Sequence, residues 1–191
     1  MNILYMYEDL EFINENYAQN KLKKGDYDNC IFQHCDFSKA DLSSINFVEC
    51  RFENCNFSLA SVKSTGFKDT VWLDCKVLGV QFLEVNTFLL QMHFKNCILN
   101  NSIFSNLDLR SSKFEHSEIT EVDFSNCNLH GVDFSKSNLQ GAIFDSCDLR
   151  KCDFRTAENL TLDPDRNQMQ GAKFSLDGLP GLLTKHKLKI S

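Results

Sequence analysis

Large apolar residues recur at every fifth position through most of this chain, a period that neither a helix nor a flat strand has. Two unbroken runs contain 24 such positions, 11 in the first and 13 in the second. This period indicates a chain that turns a corner after every unit of five residues. The positions are Phe32, Phe37, Leu42, Phe47, Phe52, Phe57, Val62, Phe67, Trp72, Val77 and Phe82, then Phe94, Leu99, Phe104, Leu109, Phe114, Ile119, Phe124, Leu129, Phe134, Leu139, Phe144, Leu149 and Phe154.

The residue two places before each large one is never charged and is usually Cys, Ser, Ala or Val. If both residues point inward, the other three face solvent, and four units close a square coil of 20 residues. Coils would stack about 4.8 Å apart through parallel backbone hydrogen bonds. Residues 20 apart, such as Phe32 and Phe52, would then form columns, each buried ring contributing about 1.5–3 kcal/mol. The pattern predicts an all-β solenoid.

The chain divides into three segments. Residues 1–29 are irregular and are expected to form an N-terminal cap, with a membrane-surface or partner-binding arm as the alternative. The repeat occupies residues 30–174, and residues 175–191 form a tail. Within the repeat the frame slips by two residues inside 83–92, and the pattern degrades over 157–170, where Pro164 lacks an N–H group for the ladder.

Two apolar clusters are candidate contact surfaces. The frame slip is most simply accommodated by a bulge at a corner. Such a bulge either serves only to turn the strand, or it also exposes Phe88, Leu89 and Leu90 as a contact for a partner. In the tail a spacing of three and four residues predicts one face of a short C-terminal helix. We expect this helix to cap the last coil and to form a homodimer interface. Its residues are Leu176, Leu179, Leu182 and Leu183.

The nine cysteines all occupy the small inward position, where other units have Ala, Val, Ser or Thr. They make no C-x-x-C pair, and no histidine joins them at zinc-ligand spacing. The pattern therefore favours small buried side chains with free thiols over a metal site or disulfides. They are Cys30, Cys35, Cys50, Cys55, Cys75, Cys97, Cys127, Cys147 and Cys152.

Catalysis is not predicted. The residue before the large one is Asp or Asn in 11 of the 24 units. Free exchange of carboxylate for amide indicates hydrogen bonding to the corner backbone. The sequence contains no convincing acid–base pair, nucleophile triad or phosphate-binding loop. Because a filled core leaves no pocket, neither an enzyme nor a cofactor is expected.

Charge limits the choice of partner. The net charge of −6 argues against direct nucleic-acid binding through a basic surface. No signal-like segment or long apolar run is evident, so we expect a cytoplasmic protein without a membrane segment. The side that carries Leu42 and Phe82 has only Lys63 and Arg166 as basic residues. This side is either merely solvated or a contact for a basic partner. Its acidic residues are Asp41, Glu84, Asp123, Asp145, Asp163 and Asp165.

Two stretches, Asp36-Phe-Ser-Lys-Ala-Asp-Leu-Ser and Asp133-Phe-Ser-Lys-Ser-Asn-Leu-Gln-Gly-Ala, resemble the consensus of the pentapeptide-repeat family, Ala-Asp/Asn-Leu-X-X. The resemblance covers about residues 30–174 and implies a right-handed quadrilateral parallel β-helix. The phenylalanine-rich ladder, the central frame break, the Asp-Pro coil and the leucine-rich tail are similar to the Qnr quinolone-resistance and microcin-immunity branch. Members of that branch are rod-shaped dimers, joined through a C-terminal helix, that act on DNA gyrase and topoisomerase IV.

The resemblance implies a non-enzymatic binding protein. It would bind a type II topoisomerase as a DNA-like rod and give protection against quinolones or toxins. The alternative is a scaffold or adaptor with an unrelated protein partner, since fold alone does not determine function.

Overall fold

The structure, a computed structural model, describes residues 5–189. Its β-structure consists of short strands separated by corners, because every fifth residue must turn inward again. Ten strands are present in the described part: β1 Met6–Glu8, β2 Glu11–Ile13, β3 Asp26–Asp28, β4 Ile31–Gln33, β5 Asn46–Val48, β6 Arg51–Glu53, β7 Gly66–Lys68, β8 Thr70–Leu73, β9 Met92–Lys95 and β10 Lys113–Glu115.

The strands form two parallel sheets on adjacent sides of the coil. One sheet has the order β1-β3-β5-β7, and the other has the order β2-β4-β6-β8-β9-β10. The other sides, and the coils near the C-terminus, are joined by isolated parallel bridges such as Asp123 with Ile143. We name the sides by their inward columns: side A contains Phe47, side B Phe52, side C Phe57 and side D Val62.

The core is the ladder that the period predicts. All 24 large periodic residues are buried, none more than 5% exposed, and their small companions are buried as well. On side B the aromatic column runs from Phe12 to Phe174, with neighbouring ring centroids 4.6–5.5 Å apart. Rings on different sides meet edge to face, as Phe47 and Phe52 do at 5.2 Å. The predicted quadrilateral parallel β-helix is confirmed.

The solenoid begins before Cys30, which corrects the predicted boundary of the N-terminal cap. Strand β1 pairs with β3, and Tyr7 stacks on Tyr27 with ring centroids 4.6 Å apart. Strand β2 pairs with β4, and Phe12 stacks on Phe32. Residues 5–24 therefore form a full coil whose large positions are Tyr and Leu as well as Phe, and residues 25–29 begin the next coil. Residues 1–4 lie outside the described part.

At the frame slip the register changes by two residues. Gly66 still pairs with Asn86, a step of 20, whereas Trp72 pairs with Phe94, a step of 22. The extra residues therefore lie between Asn86 and Met92, on side A. Leu90 fills the inward position there and is 7% exposed, while Gln91 N–H donates to the Phe67 carbonyl at 2.9 Å.

The tail covers the C-terminal end of the rod. The predicted C-terminal helix is present as two 3₁₀ helices, Leu179–Leu182 and Thr184–His186. Leu182 packs against the core, and the Leu162 N–H donates to the Gly181 carbonyl at 3.3 Å. A side chain at position 181 would collide with the Leu160 carbonyl oxygen, only 1.9 Å from an added Cβ, so glycine permits this close approach. Residues 190 and 191 lie outside the described part.

Candidate protein-binding surfaces

The acidic side predicted from the sequence is largely neutralised in the folded rod. Five of its six carboxylates form ion pairs, and two of the cations, Lys24 and Lys185, come from segments assigned to the cap and the tail. The pairs are Asp41 with Lys24 at 3.6 Å, Glu84 with Lys63 at 3.1 Å, Asp145 with Arg166 at 2.7 Å, and Asp163 at 2.6 Å together with Asp165 around Lys185.

Asp123 is the remaining member of this acidic set. It has no basic partner among residues 5–189, but it accepts hydrogen bonds from the Ser105 hydroxyl at 2.8 Å and the Ser125 N–H at 2.8 Å. Burial acts to raise the pKa of this carboxyl, but the hydrogen bonds from Ser125 and Ser105 lower it overall. Asp123 therefore serves the corner backbone of side D, and this side lacks the strong unpaired charge that its composition indicates.

A row of acids that form no ion pair lies on side A, in the coils nearest the N-terminus. Strands β1 and β3 place Glu8 directly beside Asp28, and Glu49 lies one further coil along this side. Asp9 and Asp26 accept hydrogen bonds from the neutral amides of Asn29 and Asn46, each at 2.7 Å. None of these five carboxylates forms an ion pair within the described residues. The periodic pattern alone does not predict this row, because most of its members lie in residues 1–29, which precede the recognised repeat and therefore have no predicted side.

After the frame slip, three outward acids are paired with an arginine along the strand direction. Residues i and i+2 flank an inward residue and point the same way. Asp153 thus meets Arg155 at 2.7 Å, and the same Asp-x-Arg pairing joins Asp108 with Arg110 and Asp148 with Arg150. The Arg155 hydrogen bonds hold the pKa of Asp153 down at about 2. On side A, therefore, Asp108 and Asp148 have basic partners, unlike the acids of the coils nearest the N-terminus.

The frame slip divides its predicted apolar cluster. Phe88 and Leu89 are 63% and 67% exposed, whereas Leu90 is buried in the core and cannot contact a partner. Lys68 lies over the Phe88 ring, with Nζ 5.1 Å from the ring centroid. The candidate contact at the slip is therefore the pair Phe88 and Leu89.

The tail leucines are divided in the same way. Leu182 packs against the core, while Leu176, Leu179 and Leu183 are 85%, 42% and 39% exposed. Leu182 therefore helps to cap the core, and the other three leucines form the exposed stripe.

The cysteines are buried free thiols that also act as hydrogen-bond donors, a role that the sequence analysis did not assign. Each Sγ lies 2.9–3.4 Å from a carbonyl oxygen of the preceding coil, as Cys127 does from Phe104 at 3.0 Å. Ser137 and Thr65 reach the equivalent carbonyls with hydroxyl groups. Cys, Ser and Thr are therefore frequent at the small inward position because they are small and because they can donate a hydrogen bond to a carbonyl group of the preceding coil. Burial raises the pKa of Cys127 to about 12.

No group of three or more His, Cys, Asp or Glu side chains is placed to hold a metal ion in the part of the chain described. Between residues 5 and 189 the structure contains no helix with both the length and the apolar character needed to cross a bilayer.

Comparison with solved structures shows the same fold in other proteins. Two trypsin-treated variants of QnrB1, a plasmid-mediated fluoroquinolone resistance protein, match with TM-scores of 0.62 and 0.59. They are 18% and 20% identical, the matches covering 98% and 97% of this chain and 100% and 99% of theirs. HetL, a pentapeptide-repeat protein involved in heterocyst differentiation regulation in the cyanobacterium Nostoc sp. strain PCC 7120, matches with a TM-score of 0.53. It is 16% identical, and the match covers 91% of this chain and 89% of HetL.

Sequence comparison identifies the family. No curated protein matches the chain significantly in sequence. The family model for the SV2A/B/C luminal domain matches residues 4–82. The model described as the pentapeptide repeat region matches residues 45–124 and 87–163, together more than half of the chain. The chain therefore belongs to the pentapeptide-repeat family.

Proposed function

We propose that this rod is a non-enzymatic binding protein whose partner is a type II topoisomerase, DNA gyrase or topoisomerase IV. The rod would occupy part of the surface that otherwise holds duplex DNA, and would thereby protect the enzyme from quinolones or toxins. The shared fold with QnrB1, a fluoroquinolone resistance protein, supports this choice of partner. A cytosolic location suits it, because nine thiols remain unpaired.

The row of unpaired acids on side A carries this proposal. Glu8, Asp28 and Glu49 lie on one side of successive coils, with Asp9 and Asp26 between them. Surfaces that bind DNA are rich in Lys and Arg, because they neutralise phosphates. Because these five carboxylates form no ion pair within the described residues, they offer such a surface the same sign of charge as the phosphates. Side D, the acidic side predicted from the sequence, offers much less unpaired negative charge, because five of its acids already have basic partners.

Gyrase supercoiling with the purified protein, in the presence and absence of a quinolone, tests the proposal. The key variant replaces Glu8 and Glu49 by Gln and Asp28 by Asn, which removes three unpaired charges from side A. The matched control replaces Glu84 by Gln and Asp41 and Asp145 by Asn, which removes three paired charges from side D. We expect the side A variant to lose the effect on gyrase, and the control to retain it.

Salt provides a second measurement of the same contact. Binding that depends on unpaired surface charge weakens as ionic strength rises, because exposed charges more than about 10 Å apart are screened at 0.1 M salt. Equal effects of the two triple variants, or binding that is insensitive to salt, would contradict a contact through side A.

The alternative function is a scaffold or adaptor for an unrelated protein. HetL favours this alternative, since it shares the fold and is involved in heterocyst differentiation regulation. If the protein is such a scaffold, the purified protein should leave gyrase supercoiling and its inhibition by quinolones unchanged.

A homodimer through the tail is part of the proposal. Leu176, Leu179 and Leu183 are exposed on the outer surface of the tail that covers the C-terminal end of the rod. The same stripe of a second molecule can cover them across a twofold axis. Replacing Leu176 and Leu183 by Asp should give a monomer in sedimentation experiments. Leu182 is left unchanged because it packs against the core. Ile143→Asp, at a residue 50% exposed elsewhere on the rod, is the control. A wild-type monomer at tens of micromolar would contradict the dimer.

A further inference from the structure

The first coil ends the rod in two open strand edges. Strand β1 is the outermost strand of one sheet, and β2 is the outermost strand of the other. Within residues 5–189 each strand pairs on one edge only, β1 with β3 and β2 with β4. An open edge presents backbone N–H and C=O groups that can pair with a strand of another chain. The N-terminal end of the rod is therefore a candidate binding site.

The register shows which backbone groups of β2 are open. The Leu10 carbonyl and the Asn14 N–H both bond to β4, each at 2.9 Å. Backbone groups of successive strand residues point to opposite edges of the strand, so Glu11 and Ile13 direct theirs away from β4. These N–H and C=O groups have no hydrogen-bond partner within the described residues.

Strand β1 has the same arrangement. The Tyr5 carbonyl accepts a hydrogen bond from β3 at 2.9 Å, and the Asp9 N–H donates to β3 at 3.1 Å. Met6 and Glu8 lie between these residues and direct their backbone groups to the open edge. The two strands thus offer four N–H and four C=O groups, on sides A and B, to an added chain that follows the coil.

The aromatic rings behind this edge are stacked on one face only. Tyr7 stacks on Tyr27 and Phe12 stacks on Phe32, each with ring centroids 4.6 Å apart. Phe32, one coil further on, is stacked on both faces, since the Phe52 ring lies 5.2 Å away on its other side. Tyr7 and Phe12 are accordingly only partly buried. An added strand with apolar inward residues would cover the second face of both rings.

The charge of the edge indicates the kind of chain that fits it. Residues 5–14 include Glu8, Asp9 and Glu11 but no basic residue, and none of the three acids forms an ion pair within the described residues. Glu8 and Glu11 are exposed beside the open backbone groups. Opposite charges on neighbouring strands stabilise their pairing, and like charges weaken it. The edge therefore favours Lys or Arg in the added strand.

Two other occupants fit less well. A second copy of this chain, stacked on the same edge, would bring its own Glu8 and Glu11 against those of the first copy. The four residues before Tyr5 are too few to pair with both strands, because a segment in register with Met6 to Ile13 needs eight residues. A basic segment of a different protein meets neither difficulty.

We propose that β1 and β2 bind an extended basic segment of a protein partner, which adds to the rod as a further half-coil parallel to both strands. Its backbone bonds to the open groups, its apolar residues cover Tyr7 and Phe12, and Lys or Arg lies opposite Glu8 and Glu11. In this mode of recognition backbone hydrogen bonds give affinity, and alternate side chains give specificity. The proposal rests on the protein-binding function proposed above, but not on the partner being a topoisomerase.

A synthetic peptide tests this chemistry. The probe copies residues 25–34, which occupy the same two sides of the next coil, with Asp28→Lys and Ile31→Lys to place Lys opposite the two acids. One control peptide has Glu at both positions. A second control keeps both Lys residues but carries N-methyl groups on its two inward aromatic residues, whose N–H groups would bond to the edge. Fluorescence anisotropy with the full-length protein, under reducing conditions, should show binding of the probe and at least about tenfold weaker binding of both controls.

A charge exchange in the protein locates the contact. Glu8→Lys/Glu11→Lys should weaken binding of the probe by about tenfold or more and should restore binding of the Glu peptide. The matched control is Glu118→Lys/Glu121→Lys, which reverses two exposed acids with the same spacing on side C. This control should leave the affinity for the probe unchanged.

Amide hydrogen exchange, measured by NMR, shows whether the edge itself is occupied. The amides of Met6, Glu8, Glu11 and Ile13 should exchange rapidly in the free protein and slowly with the probe bound, because only a strand on the edge protects them. Protection without the probe would mean that this chain covers its own edge, in the same molecule or in a second copy, and would overturn the proposal. Equal binding of the N-methylated peptide, or full affinity of the Glu8→Lys/Glu11→Lys variant, would overturn it too. Failure of the gyrase assay alone would remove the topoisomerase and leave this result intact.

Discussion

The half of the rod before the frame slip and the half after it share one period but fill the core differently. Before the slip, a coil has rings on three adjacent sides and a small residue on the fourth: Phe47, Phe52, Phe57 and Val62. After the slip, rings occupy opposite sides and aliphatic residues the other two: Leu109, Phe114, Ile119 and Phe124. Edge-to-face contacts occur in both, as between Phe114 and Phe124 at 5.4 Å. The cross-section accepts either arrangement because the backbone path depends on the period, not on which sides carry rings.

The change between the two arrangements begins in the coil before the slip and is completed on side A after it, where Phe67 is followed by Leu90 and then Leu109. Side C changes from Phe57 to Val77, and side D changes from Val62 to Phe82, so a ring moves from one side to the next. Phe82 then begins the side D column, stacked on Phe104 with centroids 4.5 Å apart. The frame slip follows on side A, between Asn86 and Met92. A gain of volume on one side is thus matched by a loss on its neighbour, which is the condition for a filled core.

Removing a ring from the second half is expected to have the largest effect. Phe124 is fully buried and stacks between Phe104 at 5.4 Å and Phe144 at 5.3 Å. Phe124→Ala should lower the free energy of unfolding by about 3–5 kcal/mol, because the coils above and below cannot close the cavity. Chemical denaturation of this variant and of Ile143→Ala, at a half-exposed residue of the same side, measures the difference. Equal stability of the two variants would contradict the inward placement of the periodic residues.

Adding a ring at the change between the two arrangements should have a smaller effect. Val77→Phe places a fourth aromatic ring in the coil of Phe67, Trp72 and Phe82, and overpacking should lower the free energy of unfolding by about 1–3 kcal/mol. The double variant Val77→Phe/Phe82→Val restores the volume and the ring positions of the preceding coil. It should recover part of the loss when both are unfolded in urea. A double variant less stable than the single one would show that column stacking, rather than coil volume, decides the arrangement.

The sequence predicts the interior of this molecule far better than its surface. Inward positions repeat every five residues, so columns, burial and the change of register follow from counting. Surface pairing depends on residues from neighbouring coils and from the termini. Lys24 and Lys185 neutralise acids of side D although they lie outside the recognised repeat, and Glu8 joins Asp28 only once the first coil is seen to belong to the solenoid. The burial of Leu90 and Leu182 likewise depends on how an irregular segment folds back, which no period encodes.

The outer charges of the two halves give the smallest expected effect. Arg155 holds the pKa of Asp153 at about 2, below its ordinary value of 3.8. A carboxyl whose pKa is lowered by folding adds stability above its ordinary pKa, and this contribution disappears as the pH falls through about 2. Because the Arg155 side chain is largely exposed, water screens the pair and the contribution to stability should be small.

Asp153→Asn isolates this contribution. The amide oxygen can still accept the Arg155 backbone N–H, now 3.2 Å from the carboxylate, so the corner geometry is retained while the charge is lost. Urea unfolding should show the variant less stable than wild type near pH 7, with the difference shrinking as the pH falls below about 4. Glu49→Gln, which removes an unpaired charge from the first half, should show no loss of stability near pH 7. If the Asp153 difference were the same at both pH values, the ion pair would not be its cause. Asp153 would then be as available to a basic partner protein as the unpaired acids of the first half are.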